Sequence, residues 1–119
     1  MMHEAGSDMT ITQVLAYAVK QYGGRTAVID KDKTFSFQDL DRLSHRLAAQ
    51  LYEMGIRKKD VVAVQLPNGW PYIIAHLAIA RLGAIFLPLN LTYRQKELKF
   101  MFNHSETKAV IVIDEWKGF

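Results

Sequence analysis

The sequence predicts an α/β fold: an N-terminal helix and β-hairpin followed by a βαβαβ parallel-sheet unit. Three observations carry the prediction. Near-continuous apolar runs at residues 61–64, 84–87 and 109–113 suit strands buried on both faces. The stretches between them show helical spacing of apolar residues and helix-boundary signals. Each of those stretches is long enough to return the chain parallel to itself, and such returns are right-handed in nearly all cases.

The elements follow in order. Thr10 opens a helix, with Gln13 three positions on in a capping-box arrangement. Val14, Leu15, Ala18, Val19 and Tyr22 form one apolar face, and Gly23-Gly24 stops the helix. Ala27-Val28-Ile29 and Thr34-Phe35-Ser36 read as the strands of a hairpin around a polar turn. Ser36 also caps the longest helix, with Asp39 at the third position. Phe37, Leu40, Leu43, Leu47, Leu51 and Met54 make its apolar stripe, and Gly55 ends it in a left-handed conformation.

Val61 to Val64 follow as a strand. Asn68 and Gly69 turn the chain, and Pro71 fits the first turn of the next helix, where its missing N–H does no harm. That helix, 72–82, is apolar almost all round, and three strands alone do not cover it. Gly83 closes it. Strand 84–87 is stopped by Pro88, and Thr92 is expected to cap the next helix with Gln95 at the third position. Leu98, Met101 and Phe102 give that helix an inner face, and Phe100 is expected in the core with them. The β-branched run 109–113 is the last strand.

The bulk numbers bound the function. A chain of 119 residues is one domain or part of one. Residues 1–9 read as a flexible leader without the basic-then-apolar order of a signal peptide, and 10–119 as the folded portion. A net charge of +3 is too small and too scattered to imply nucleic acid, and Arg57-Lys58-Lys59 reads as a solvated turn. The chain has no cysteine, which excludes disulfides, thiolate metal sites and cysteine nucleophiles. No apolar run is long enough to span a membrane. Together these fit a cytoplasmic protein. Asn90-Leu91-Thr92 and Asn103-His104-Ser105 match the glycosylation pattern, but no secretion signal gives it meaning.

No catalytic, cofactor-binding or metal-binding residue stands out. The first strand-to-helix turn carries one glycine, Gly69, beside Trp70, so the dinucleotide fingerprint is absent, as is the Walker sequence. His3, His45, His76 and His104 show no metal-ligand spacing. His76 reads as a hydrogen-bonded core residue; His45 and His104 read as surface residues. Ser36, Ser44 and Ser105 lack the context of a nucleophile elbow. Asp114 and Glu115 are adjacent and point different ways. Trp70 and Tyr72 could stack on a base, but packing of a helix start on the sheet explains them better.

The order of these pieces resembles the N-terminal segment of the adenylate-forming enzymes, which include acyl- and aryl-CoA synthetases, peptide-synthetase adenylation domains and luciferases. The resemblance runs from about Thr10 to Asp114. Ser36-Phe37-Gln38-Asp39-Leu40 is similar to the family's Thr-Tyr-x-Glu-Leu helix start. Lys59-Asp60-Val61-Val62 is similar to Gly-Asp-x-Val, with Lys59 where glycine is common. Pro67-Asn68, and Gly83-Ala84 through Pro88 to Asn90, match the next two signals.

The resemblance implies the first part of the larger N-terminal domain of the adenylate-forming fold, with residues 80–98 as architecture. It implies a parent that is an ATP-dependent acid–CoA ligase, acting on a long-chain fatty acid or related carboxylate through an acyl-adenylate. ATP, Mg and CoA belong to that parent. The family's phosphate loop and later motifs are not in this chain, so no cofactor is expected here and the fragment alone is expected to be inactive. Its partners would be the remainder of the parent, with self-association through an exposed sheet edge. The alternatives are a stand-alone, non-catalytic α/β interaction domain and a free-standing nucleotide binder.

Overall fold

The structure is a computed structural model and describes residues 10–112, leaving out the side chains of Gln95, Leu98, Met101, Phe102 and Ser105. The expectations placed on residues 1–9 and 113–119, including His3, Ile113, Asp114 and Glu115, lie outside the described residues, as do those on the five side chains.

The element order is α1 (Ile11–Tyr22), β1 (Thr26–Asp30), β2 (Lys33–Ser36), α2 (Phe37–Glu53), β3 (Val61–Gln65), α3 (Trp70–Arg81), β4 (Ile85–Pro88), α4 (Gln95–Ser105) and β5 (Thr107–Val112). β1 and β2 form an antiparallel hairpin, and β4-β3-β5 form a parallel sheet with β3 in the centre. The predicted α/β architecture is therefore the observed one.

Local chemistry sets the helix starts. The Thr10 hydroxyl accepts the Gln13 N–H at 3.1 Å, and Gln13 Oε1 accepts the Thr10 N–H at 2.8 Å. Ser36 and Asp39 repeat the arrangement at 3.1 and 2.9 Å. Each reciprocal pair satisfies N–H groups that the helix itself leaves without partners. α4 corrects the sequence reading. Its N-cap is Arg94, not Thr92, and Glu97 Oε1 accepts the Arg94 N–H at 2.9 Å. Thr92 sits in a turn held by Asn90, whose Oδ1 accepts both the Thr92 N–H (2.9 Å) and its hydroxyl (2.8 Å). The asparagine outcompetes the helix for the threonine.

β3 is the centre of the core. Val62, Ala63 and Val64 are fully buried, as the apolar run predicts. Val62 and Val64, with Phe86, Ala109 and Ile111 beside them in the sheet, pack against Ala48 and Leu51 of α2, Ile56, and Ala75, Ala78 and Ile79 of α3. Each fully buried Val or Ile contributes about 1.5–3 kcal/mol relative to an exposed one. A second cluster joins Leu15 of α1 to Leu40 of α2 and to Ile74 and Leu77 of α3, with the hairpin's Val28 and Phe35 against it. The apolar helix α3 is thus sandwiched between the sheet and the N-terminal layer. Three strands alone do not cover it, as the sequence indicates; α1, α2 and the hairpin supply the rest.

Other apolar positions depart from the expected burial. α1 buries Leu15, but Val14 and Tyr22 are each 41% exposed, so its predicted face splits. Met54 is 69% exposed, because α2 turns Ser44 and Ala48 inward instead. Phe100 is 60% exposed and stacks on His104, so it is not core. β5 alternates, with Val110 and Val112 on an open face where burial on both was expected.

The glycines separate two roles. Gly55 and Gly83 take the positive φ expected after a helix, +102° and +69°. Gly23 keeps a right-handed conformation; there a Cβ would lie 2.7 Å from the Val19 carbonyl and 2.9 Å from Gln38 Nε2, so close approach explains it.

Candidate functional site

Ligands of parallel α/β units sit beyond the carboxyl ends of the strands, where helix N-termini and loops converge. Here that region comprises the loop from β3 to α3, the loop from β4 to α4, and the hairpin. Protein groups already occupy part of it.

The N-terminus of α3 presents unpaired N–H groups and the positive end of the helix dipole, which together attract anions. Asp30, at the end of β1, occupies it. Its Oδ2 accepts the Trp70 N–H at 3.0 Å. Gly69 makes the approach feasible: its φ is +148°, and a Cβ there would lie 2.9 Å from the same oxygen. A phosphate at this helix end would face a carboxylate. Phe35 packs on Trp70 with ring centroids 5.2 Å apart, and the Lys33 ammonium lies 5.4 Å from the indole centroid. Tyr72 packs edge-on against Phe86 at 5.5 Å. Both aromatics therefore pack, as the sequence reading favoured.

Gln65 closes the neighbouring space. At the end of β3 its Nε2 donates to the carbonyls of Asn90 (2.9 Å) and Tyr93 (3.3 Å), tying the strand end to the loop from β4 to α4. Asn90 of the Pro-x-Asn signal thus builds a turn. Lys59, where the resembled pattern has glycine, has φ +72°, and its N–H donates to the Gly83 carbonyl at 2.9 Å. Glycine is suited to that position because a side chain is strained there. Arg57 lies over the Tyr52 ring at 3.5 Å and donates to the Tyr52 and Ile56 carbonyls, so the basic turn caps the end of α2.

The remaining named residues do not converge. His45 and His104 are exposed, as expected. His76 is exposed too and stacks on Phe86 at 4.6 Å, so the core reading of it is corrected: α3 buries Ala75 and Leu77 and turns His76 outward. Ser36 is a cap. Ser44 is fully buried, and its hydroxyl donates to the Asp41 carbonyl and accepts from Arg81 Nε at 3.1 Å. Arg81 also pairs with the Asp41 carboxylate. This three-residue clamp between α2 and α3 escaped sequence reading. Its members lie 37 and 40 positions apart, and no local pattern links them.

Open grooves lie along the described residues. One, of about 390 Å³, runs along α2 and α3 past His45, Tyr52, Glu53 and Arg81, whose guanidinium is engaged in the clamp. Another, of about 440 Å³, is lined by Tyr93, Lys96, Glu97 and Phe100. Glu97 there is held below the usual carboxylate range, chiefly by the Arg94 N–H. Among the described residues no three His, Asp or Glu side chains cluster as metal ligands, and no helix is long and apolar enough to cross a membrane. The N-terminus of α3, which could take a phosphate, holds Asp30 instead.

The arrangement defines a class: a parallel α/β unit whose strand ends are tied off by its own side chains. The chain belongs to the AMP-binding enzyme family, whose model matches residues 15–118. It is 30% identical over 103 residues to the medium/long-chain-fatty-acid–CoA/3-oxocholest-4-en-26-oate–CoA ligase of Mycobacterium tuberculosis, covering 87% of this chain and 19% of that protein. It is 30% identical over 108 residues to tyrocidine synthase 2 of Brevibacillus parabrevis, covering 91% of this chain and 3% of that protein. The apo structure of Mycobacterium smegmatis MbtA superposes with a TM-score of 0.80 at 35% identity, covering 90% of this chain and 20% of that one. The chain spans about a fifth or less of the length of the curated relatives it matches. It is an N-terminal segment of the adenylate-forming fold.

Proposed function

We propose that this chain is the scaffold end of an ATP-dependent acid–CoA ligase and is inactive by itself. The parent joins a long-chain fatty acid or related carboxylate to AMP in the cytoplasm, using Mg-ATP, and passes the acyl group to CoA. The observation that carries the reading is the closure of the strand ends. Asp30 holds the N-terminus of α3 and Gln65 ties the end of β3 to the loop from β4 to α4, so this segment shapes a sheet and leaves chemistry to residues elsewhere in the parent. Similarity to a fatty-acid–CoA ligase supports the choice of acid and thiol; the equal identity to a synthase keeps other adenylating activities in view.

The test is to express the full product of the reading frame beside the 119-residue chain. Acid-dependent exchange of pyrophosphate into ATP, followed by acyl-CoA formation, is expected for the full product only. Adenylation without transfer to CoA would reject the ligase and retain the family chemistry. Activity in the short chain would reject the scaffold role.

A further inference from the structure

Asparagine is among the thermally labile side chains. Its carboxamide carbon is attacked by the backbone nitrogen of the next residue, and a side chain on that residue hinders the approach. Glycine has none. The chain has three asparagines, Asn68, Asn90 and Asn103, and only Asn68 is followed by glycine.

The fold separates the three in the same sense. Asn68 is exposed and lies in the turn between β3 and α3. Around it the Gly69 carbonyl accepts the Ile73 N–H at 3.2 Å, and the Trp70 N–H is bound to Asp30 at 3.0 Å. Among the described residues, no hydrogen bond engages the Asn68 carboxamide or the Gly69 N–H. Asn90, by contrast, has its Oδ1 bound by the Thr92 N–H at 2.9 Å and the Thr92 hydroxyl at 2.8 Å, and Leu91 follows it. Asn103 precedes His104 inside α4, where the helical ladder holds the backbone.

We propose that Asn68-Gly69 is a site of spontaneous deamidation in the native protein, and that its isoaspartate product uncaps α3. The Gly69 nitrogen gives its proton to solvent and bonds to Asn68 Cγ. The Cγ–Nδ2 bond breaks, and the nitrogen leaves as ammonia with a proton returned by solvent. One water then opens the five-membered succinimide. Attack at Cγ gives aspartate; attack at the main-chain carbonyl carbon routes the chain through Cγ and gives isoaspartate. That product inserts a methylene into the backbone immediately before Gly69. Gly69 lies so close to Asp30 that a Cβ on it would be 2.9 Å from Oδ2, so the longer backbone displaces the Trp70 N–H from that oxygen. The hairpin's hold on the start of α3 is then left to Phe35 and Lys33 against the Trp70 ring. The inference does not depend on the acid or thiol of the parent.

Trypsin places the three asparagines on separate peptides, 60–81, 82–94 and 100–108. The 119-residue chain is incubated at mildly alkaline pH, native and in urea, and the mass gain of amide becoming acid is followed in each peptide. Protection of the Trp70 amide at the start marks the native sample as folded. In that sample, peptide 60–81 is expected to convert at least roughly 10-fold faster than the other two, and within about 10-fold of its own rate in urea. Asn68→Gln should suppress the gain, because the ring it would have to form is larger. A native rate below that range, or one equal to the other peptides, overturns the site. Hydrogen exchange at Trp70 in the separated isoaspartate form is expected to speed up toward that of Asp30→Ala. Exchange no faster than in the unmodified chain overturns the uncapping, whether or not Asp30→Ala folds.

Discussion

Arg81, at the end of α3, reaches across to the fully buried Ser44 of α2, and its Nε donates to the Ser44 hydroxyl at 3.1 Å. The same guanidinium pairs with Asp41 one turn earlier. Asp41 is 43% exposed, so screening leaves the ion pair itself worth little. The buried hydrogen bond and the small size of Ser44 matter more.

Ser44→Ala should therefore cost roughly 1 kcal/mol, the net value of a buried hydrogen bond. Ser44→Leu should cost more, roughly 2–3 kcal/mol, because the added volume must force α2 and α3 apart. Urea denaturation of the two variants checks the order. Equal losses would mean that packing between the helices is loose.

Lys59→Gly should stabilise the chain by about 0.5–1 kcal/mol. Lys59 sits at φ +72°, where a Cβ is strained and glycine is not, while glycine's greater unfolded entropy offsets part of the gain. A rise in the urea midpoint at unchanged slope is the expected result.

Asp30→Ala should cost about 1 kcal/mol, like other lost helix caps, and Asp30→Asn should cost less because the amide oxygen also accepts. Gly69→Ala should cost more than either, about 2 kcal/mol, since it combines strain at φ +148° with a clash on Asp30. Thermal unfolding ranks the three.

The pH dependence follows from Asp39, held below the usual carboxylate range first by the Ser36 N–H and then by Arg42. The folded chain gives up this proton more readily than the unfolded one. Stability from the cap is thus fully present above the ordinary carboxylate value, about pH 4, and is lost as pH falls through the lowered folded value. Asp39→Asn should flatten that acid limb of the denaturation profile.

The sequence made the caps and the centre of the sheet legible, because both are written locally. Thr10 with Gln13, Ser36 with Asp39, and the valines around Ala63 each carry their own signal. The misses arose where other groups compete: Asn90, two residues away, takes Thr92 from α4, and Arg81, 37 positions away, draws Ser44 to the buried side of α2. The open face of β5 could not be read, because an apolar run shows that a strand can be buried on both faces and not what covers each.

The most direct test of the scaffold account is a titration of the 119-residue chain with Mg-ATP, followed through the backbone amide resonances. The account predicts no saturable shift at residues 68–70 or 90–94, because Asp30 and Gln65 already hold those loop groups. Saturable shifts at Gly69 and Trp70 would contradict it, by showing that nucleotide displaces Asp30 from the start of α3.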